Sequence, residues 1–362
     1  MAHVLVLGQG KLSDIIAFWL AQYDDYTVTI ADNSPLCSLA NKAHGRIQLV
    51  DIDYTDSAAL KKLVTAKKVD VLISCVDYQY NKGIAELCYQ QKIHYFDVTR
   101  DVETAAYIEN ISKDAACALM PQCGLAPGIA NVVAYALLKD FDEIESLKIR
   151  VGSVPVVKDN NRSFALSPSG DGLHNAYVKT CRQIIDGTAK NVNPLEDIEQ
   201  LNINGVEYEA FNTSGGIGSL YELLKGKIKN ADFKSLRYPG YCKGIKDLQK
   251  TLETSQDFQA INTLLGDALP TPADDRVVIY IDIIGTKAGQ EAHEVYTKEY
   301  LSAPLFSVPC RAIELTTAAC VCAAVDLVLA NPQTFKGYVA HQDIPLDAVL
   351  ENRFGAYFVG PD

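Results

Sequence analysis

Gly8 and Gly10 stand one residue apart in "VLVLGQGKLSDIIAFWL" (Val4–Leu20), directly after four apolar residues and directly before an amphipathic stretch. A strand that turns through G-x-G into a helix points backbone N–H groups and the positive end of the helix at whatever anion lies beyond it. The full G-x-G-x-x-G/A pattern is the cradle of a dinucleotide pyrophosphate. Here Ser13 fills the third position, so the turn alone reads equally as a plain strand-to-helix junction. Asp32 adds to it: the residue closes the β-branched run "YTVTIAD" 22 positions after Gly10, near the ~20 expected of the acid that accepts the adenosine ribose hydroxyls. Lys11, just past the glycines, is either a counter-charge to pyrophosphate or a solvated lysine in a first helical turn.

The segments that must position these residues alternate. "RIQLVDIDYTD" reads as a third strand running to Asp53, followed by the helix "SAALKKLVTA". "VDVLISCV" is nearly all apolar, as a strand covered on both faces should be. A helix from Asn81 to Gln91 then leads to a fifth strand, "KIHYFDVT". Strand and helix in alternation with short connections give a parallel, doubly wound α/β sheet, and within it the glycine turn reads as a dinucleotide site. Candidate cofactor-binding residues are Gly8, Gly10, Lys11, Leu12, Asp32, Asp53, Cys75 and Val76. A carboxylate at Asp32 bonds a free 2′-hydroxyl and repels a 2′-phosphate, and the following "NSPLCSLANK" brings no arginine; NAD is therefore expected over NADP.

Composition excludes several other classes. The chain has 362 residues, 48% of them hydrophobic and 22% charged, and a net charge of −12. With no basic block, binding along a phosphate backbone is not expected. No apolar run approaching the ~18 residues of a membrane span is apparent. "MAHVLVLG" enters a strand with no signal-peptide head, and a cytoplasmic setting is expected. The ten cysteines lie mostly in apolar runs and read as buried reduced thiols. No C-x-x-C occurs, and no zinc site is expected.

Later motifs are more specific. "CGLAPGIAN" follows the sixth strand, where ligands bind in such sheets. Together with "FNTSGGIGSL", "SLRYPGY", "RAIELTTAACVCAAVDL" and "KGYVAHQDIPLDAVLENRFGAY", in that order, it resembles the saccharopine dehydrogenase family, nearest to its lysine 6-dehydrogenase and bacterial saccharopine dehydrogenase-like branch. The likeness runs from residue 4 to about 358. It implies a Rossmann domain (1–127 and 306–362) interrupted by an α/β substrate and dimerisation domain (128–305), a homodimer, and oxidation or reduction of an amino-acid carbon–nitrogen bond with NAD(P). The sequence agrees with such an insert. "ESLKIRVGSVPV" is strand-like, "RVVIYIDIIGTKAGQEAHEVYTKEYL" reads as two long strands about a glycine-bearing turn, and "AIELTTAACVCAAVDLVLA" as a buried helix.

Amine oxidation needs hydride transfer from the nitrogen-bearing carbon to nicotinamide, a base for the ammonium proton, and a cation for the substrate carboxylate. Arg237 in "LRYPGY" is the expected cation, since guanidinium binds carboxylate in a bidentate manner; the family's arginine in this motif has that role. A salt bridge to a protein acid is its alternative. Tyr241 of the same motif and Asn212 of "FNTSGG" complete the candidate substrate-binding set. Tyr78 follows the fourth strand, where the family places an aromatic near nicotinamide and substrate. By type, Asp77, Asp97, His94 and His174 are candidate bases; Asp77 and Asp97 follow strands and are favoured, although either could cap the next helix.

Two departures separate this chain from the saccharopine-forming reductases that it resembles. Ala126 stands where they carry an acid in the loop, and "RVGSVPV" lacks their cysteine beside a double glycine. Both favour the lysine 6-dehydrogenase-like branch. Around "FALSPSGDGLHNAYVKT", Ala176 precedes Tyr177 where nearer relatives have Glu-Tyr, which alters the segment bordering the substrate. A reductive condensing enzyme of saccharopine or carboxyspermidine type, and a non-catalytic dinucleotide sensor, are the alternatives to an NAD-dependent amino-acid dehydrogenase.

Overall fold

The computed structural model describes residues 1–43, 45–156, 175–252 and 274–359. It forms two compact units, one of residues 1–132 with 314–362 and one of residues 133–313.

The first unit begins with β1 (Ala2–Leu7), α1 (Lys11–Leu20), β2 (Tyr26–Asp32), β3 (Ile47–Asp51), α2 (Ser57–Lys67), β4 (Val71–Ser74), α3 (Tyr78–Gln91), β5 (His94–Asp97), α4 (Val102–Ile111) and β6 (Ala118–Met120), and the chain leaves it within α5 (Ile129–Leu138). With a two-residue strand, Gly337–Tyr338, these strands form one parallel sheet in the order Gly337–Tyr338, β6, β5, β4, β1, β2, β3. The α/β reading of the alternating segments is what the structure shows. Val4, Leu5, Val6 and Leu7 are all fully buried, as a central parallel strand covered on both faces requires. One layer of the core joins Leu5, Leu7, Leu72, Ile84, Cys88, Tyr95 and Ile108. Helix starts follow local chemistry: Asp56 accepts the Ala58 and Ala59 N–H groups and Asp101 accepts that of Thr104, each satisfying donors that a first turn leaves open. Two boundaries differ from the sequence reading. β3 stops at Asp51, two residues short, because Asp53 turns its carboxylate onto the Thr55 N–H and hydroxyl. α3 begins at Tyr78, three residues early.

The second unit is built on β7 (Glu143–Pro155), β8 (Cys181–Ile185), β9 (Thr188–Val192), β10 (Glu199–Ile203), β11 (Val206–Asn212), β12 (Asn230–Arg237), β13 (Asp275–Lys287) and β14 (Gln290–Leu301), with α6 (Leu220–Leu224) and α7 (Tyr241–Leu252). The sheet runs β10-β11-β12-β7-β13-β14, and β8 joins β12 at its side and pairs with β9. β7 and β12 are parallel; the other pairs are antiparallel. Between β13 and β14 the chain turns through Ala288 (φ 50°) and Gly289 (φ 74°), the positive-φ pair that matches strand twist in a two-residue hairpin. One face of this sheet buries an ion network. Arg150, 1% exposed, bonds both Glu199 oxygens at 2.8 and 2.9 Å and lies 2.8 Å from Asp232. Lys234, equally buried, lies 2.6 Å from Glu199 and 2.7 Å from Asp197.

The chain returns to the first unit through α8 (Ala312–Ala330). Its 19 residues have a mean hydropathy of 1.9 in the most apolar window, so one segment does have the length and composition of a membrane span, contrary to the sequence reading. In this fold Ala318, Val321, Cys322, Ala323, Val325 and Val328 are fully buried. The Cys322 thiol reaches the Ile16 carbonyl, and beyond α8 the Phe354 ring meets Trp19, Tyr23 and Tyr26. Arg353 pairs with Asp25 and Asp326. Eight of the ten cysteines are buried; Cys37 and Cys75 are partly exposed, and all ten are free thiols.

Candidate functional site

At the carboxyl end of β1, Gly8 (φ +105°) passes so close to β4 that a Cβ there would stand 3.0 Å from the Cys75 carbonyl. Only glycine combines that approach with that backbone. Gly10 (φ +147°) faces open space, with nothing within 4 Å of a Cβ, and α1 starts after it without a side-chain cap. A ten-residue helix that starts beside such open space without a side-chain cap fits a phosphate. Ser13, the misfit of the fingerprint, is buried and donates to the Gly10 carbonyl at 2.9 Å; its hydroxyl is absorbed by the turn. Asp32 is buried at the end of β2, where it accepts the Gln9 and Asn33 N–H groups, both at 2.6 Å. The acid is thereby fixed beside the glycine turn. Lys11 is exposed and Leu12, Cys75 and Val76 are half-buried around the same end of the sheet. Burial pushes the Cys75 thiol up to about 12, so it stays protonated. Asp53 is the outlier, exposed and tied to Thr55.

The candidate bases separate. Asp77 is exposed at the start of α3 and makes no capping bond; Tyr78 is half-buried beside it. Asp97 is fully buried and accepts three bonds, from the Tyr95 hydroxyl at 2.8 Å and the Thr99 and Gln122 N–H groups at 2.9 Å. Burial raises its carboxyl to about 6 despite those donors. Enclosed in this way, Asp97 holds the loops after β5 and β6 instead of presenting an oxygen to a ligand. It clamps Gln122, a left-handed residue (φ 62°) whose carbonyl lies 3.0 Å from the His341 ring. Gln122 and His341 had no signal in the sequence pattern. His94 places Nδ1 3.0 Å from the Ala118 N–H, which it accepts; it is a satisfied strand residue. His174 lies outside the described residues.

The loop after β6 closes tightly. The Gly124 N–H donates to the Pro127 carbonyl, and a Cβ at Gly128 would fall 1.7 Å from the Gly124 oxygen. The Ala126–Pro127 bond is cis.

In the second unit, β11 and β12 pair so that Glu209 stands directly opposite Arg237. Residues opposed in this way point to the same face, and an acid and an arginine there ordinarily pair. They do not. Glu209, 4% exposed, turns its carboxylate onto the Gly240 N–H (2.8 Å) and the Cys242 N–H (2.6 Å) at the start of α7, a favourable place for an anion. Arg237 is left with its neighbour's carbonyl at 2.7 Å, the Tyr177 hydroxyl at 3.5 Å and the Tyr241 ring, 5.3 Å from its guanidinium carbon. Its Nε is buried without a partner. Among the described residues no carboxylate lies within 4.0 Å of it, so none of them forms the salt bridge of the alternative reading.

Tyr241 and Asn212 are placed differently from the sequence reading. Tyr241, 1% exposed, stacks on Phe211 at 6.2 Å and carries Arg237 on its ring instead of facing a ligand directly. Asn212 is buried, with its oxygen taking the Gln183 amide at 2.8 Å and its amide reaching the Asn193 carbonyl. Glu209 was missed by sequence reasoning. Its signal was there in "VEYEAFN", where strand alternation puts it on the face of buried Phe211.

Comparison with known proteins accounts for both units. Residues 4–122 match the saccharopine dehydrogenase NADP-binding domain and residues 124–352 the saccharopine dehydrogenase C-terminal domain. The chain is 23% identical over 74% of its length to the bovine mitochondrial alpha-aminoadipic semialdehyde synthase, and 25% identical over 52% of its length to the L-glutamate-forming, NADP(+) saccharopine dehydrogenase of Saccharomyces cerevisiae. It spans 30% and 44% of those proteins. The apo yeast L-Glu-forming saccharopine dehydrogenase superposes over 97% of this chain and 96% of its own with a TM-score of 0.77 at 17% identity, a likeness of fold. With family domains matching both units, over residues 4–122 and 124–352, the chain belongs to the saccharopine dehydrogenase family.

Proposed function

We propose that the protein is an NAD-dependent oxidoreductase of the lysine 6-dehydrogenase type, acting on a carbon–nitrogen bond of a basic amino acid. The observation that carries this reading is Arg237, a half-buried cation that has, among the described residues, no carboxylate within 4.0 Å and no partner for its Nε, which suits the carboxylate of an amino acid. When bound, the dinucleotide accepts the hydride; the chain's own residues hold and orient the substrate. Tyr78 and Asp77, at the start of α3, are the residues proposed to face the reacting carbon and its ammonium proton.

The family's domain is named for NADP, and two features of this chain support NAD instead. Asp32 puts a carboxylate at the ribose position, and Asp51 adds a second one that accepts the Ser34 N–H at 3.0 Å in the following loop. The next arginine, Arg46, is committed to Asp24 at 2.7 Å and to the Ala21 carbonyl. A 2′-phosphate would meet like charge. A homodimer is also proposed, because β14, twelve residues long, is an edge of its sheet among the described residues and could take a second copy; a clean monomer in sedimentation at micromolar concentration would contradict it.

The deciding experiment incubates the protein with NAD or NADP and a panel of basic amino acids and diamines, following reduced dinucleotide. Turnover of lysine or a close relative is expected. Turnover of reduced dinucleotide only when an amine and an oxo acid are both supplied would assign a condensing reductase instead. Tight dinucleotide binding with no turnover on any of these would point to a sensor.

A further inference from the structure

The geometry points to Glu209 as the positioning residue that keeps Arg237 vacant for an incoming carboxylate. The inference rests on the proposed role of Arg237. Strand register sets the Glu209 and Arg237 side chains side by side, where Cβ atoms are roughly 5 Å apart and opposite charges pair by default. Glu209 is held out of that pairing because both of its oxygens are used, one on the Gly240 N–H and one on the Cys242 N–H. Those two amides bracket Tyr241, the first residue of α7, so the same carboxylate fixes the ring on which Arg237 rests. Phe211, stacked on Tyr241 at an interplanar angle of 12°, supports the ring from β11. One buried acid thus pins the platform under the guanidinium and removes itself as a competitor for it.

Glu209→Asp and Glu209→Gln separate reach from charge. Aspartate keeps the charge but is one methylene shorter. It cannot reach both amides, which loosens Tyr241 and frees a carboxylate beside Arg237. Both consequences weaken carboxylate binding. Glutamine keeps the reach and cannot compete for a cation, although its amide nitrogen donates and so it accepts only one of the two N–H groups. The more conservative charge variant should therefore be the more damaging one.

Two measurements test this in the full chain. The first is the rate at which phenylglyoxal labels Arg237, read by peptide mass spectrometry; no substrate is needed. Labelling should slow about tenfold in Glu209→Asp, where the guanidinium gains a partner, and change little in Glu209→Gln. The second is calorimetric titration with L-lysine and with cadaverine, which differ in the α-carboxylate. Affinity for L-lysine should fall about tenfold in Glu209→Asp while cadaverine is unchanged. Equal labelling rates in wild type and both variants would overturn the inference, as would equal losses for the two ligands, the mark of a general packing role. If wild type itself does not prefer L-lysine to cadaverine, the carboxylate role of Arg237 fails, and the labelling rates alone decide whether Glu209 holds it unpaired.

Discussion

Replacing Asp97 by asparagine tests whether this residue is a base or a strut. The native carboxyl titrates near 6, raised chiefly by burial, against 3.8 for an unperturbed aspartate. The folded state therefore binds the proton first. Stability from this group is greatest below about pH 4, falls as pH rises through about 6, and is then constant, a cost of about 3 kcal/mol for two units. Asparagine removes that cost. Its oxygen can still accept the Thr99 and Gln122 N–H groups, and its amide can donate to the Tyr95 hydroxyl, which also faces Ser74. The rise to about 6 is already what remains after the three donors are set against burial, so above pH 6 a neutral amide should be more stable than the charged carboxylate by up to about 3 kcal/mol. Thermal denaturation should show Asp97→Asn more stable than wild type at pH 7.5, by up to about 3 kcal/mol, with the gap closing as pH falls to 4.5. Steady-state kinetics on the amino acid that the panel identifies should show kcat within several-fold. A general base would cost roughly 10²–10⁴ in rate. A hundredfold loss of kcat in a variant with normal melting would refute the strut and restore Asp97 as the base.

Arg237→Lys should be nearly as damaging as Arg237→Ala, because an ammonium cannot reproduce paired donors; kcat/KM should fall about ten- to a hundredfold, from roughly 1.5–3 kcal/mol of charge-assisted bonding. Unchanged dinucleotide affinity should accompany this, and loss of it would assign Arg237 a structural role. NAD should bind far more tightly than NADP in direct titration, and Asp32→Ala should narrow the gap; equal or tighter NADP binding to wild type would overturn the assignment of Asp32. Glu199, held down to about 2 through the Arg150 and Lys234 charges despite burial, supports the fold above pH 4.5 and loses that support as pH falls toward 2. Glu199→Gln leaves two buried cations short of a counter-charge and should cost about 3–5 kcal/mol by urea unfolding; a loss under 1 kcal/mol would show the network to be dispensable.

The Rossmann unit was the most legible part of the sequence, because its strands announce themselves twice, by apolar content and by the turn that follows each one. Gly8, Gly10 and Asp32 carried a spacing rule that the backbone obeys. Boundaries were lost where a side chain redirects the chain, as Asp53 does by bonding Thr55 in place of another strand residue. Site residues were legible by type and not by environment. Asp97 and Asp77 look alike in sequence, yet one is sealed behind three donors and the other is exposed. Asn212 and Tyr241 have polar groups suited to a ligand, and the fold spends them internally. Glu209 illustrates the converse: its partner amides come from a helix start 31 and 33 residues away, a distance over which no local pattern speaks. α8 shows a limit of apolar counting, since a helix enclosed by protein and one enclosed by lipid have the same composition.

The return of the chain through α8 has a consequence for how the first unit comes into being on the ribosome. Its sheet is edged by Gly337–Tyr338, which pairs with β6 across more than 200 residues of intervening chain, and α1 is covered by α8 and Phe354. When residue 132 emerges, Ile16, Trp19 and the edge of β6 have no partners, and at roughly 5–20 residues per second they wait about ten seconds or more for them. Throughout that interval the nascent chain offers a bare apolar helix face and an open strand edge, the features that chaperones recognise and that seed aggregation. The second unit, contiguous from 133 to 313, has no such delay. It is therefore expected to reach its native state first, although it is encoded second.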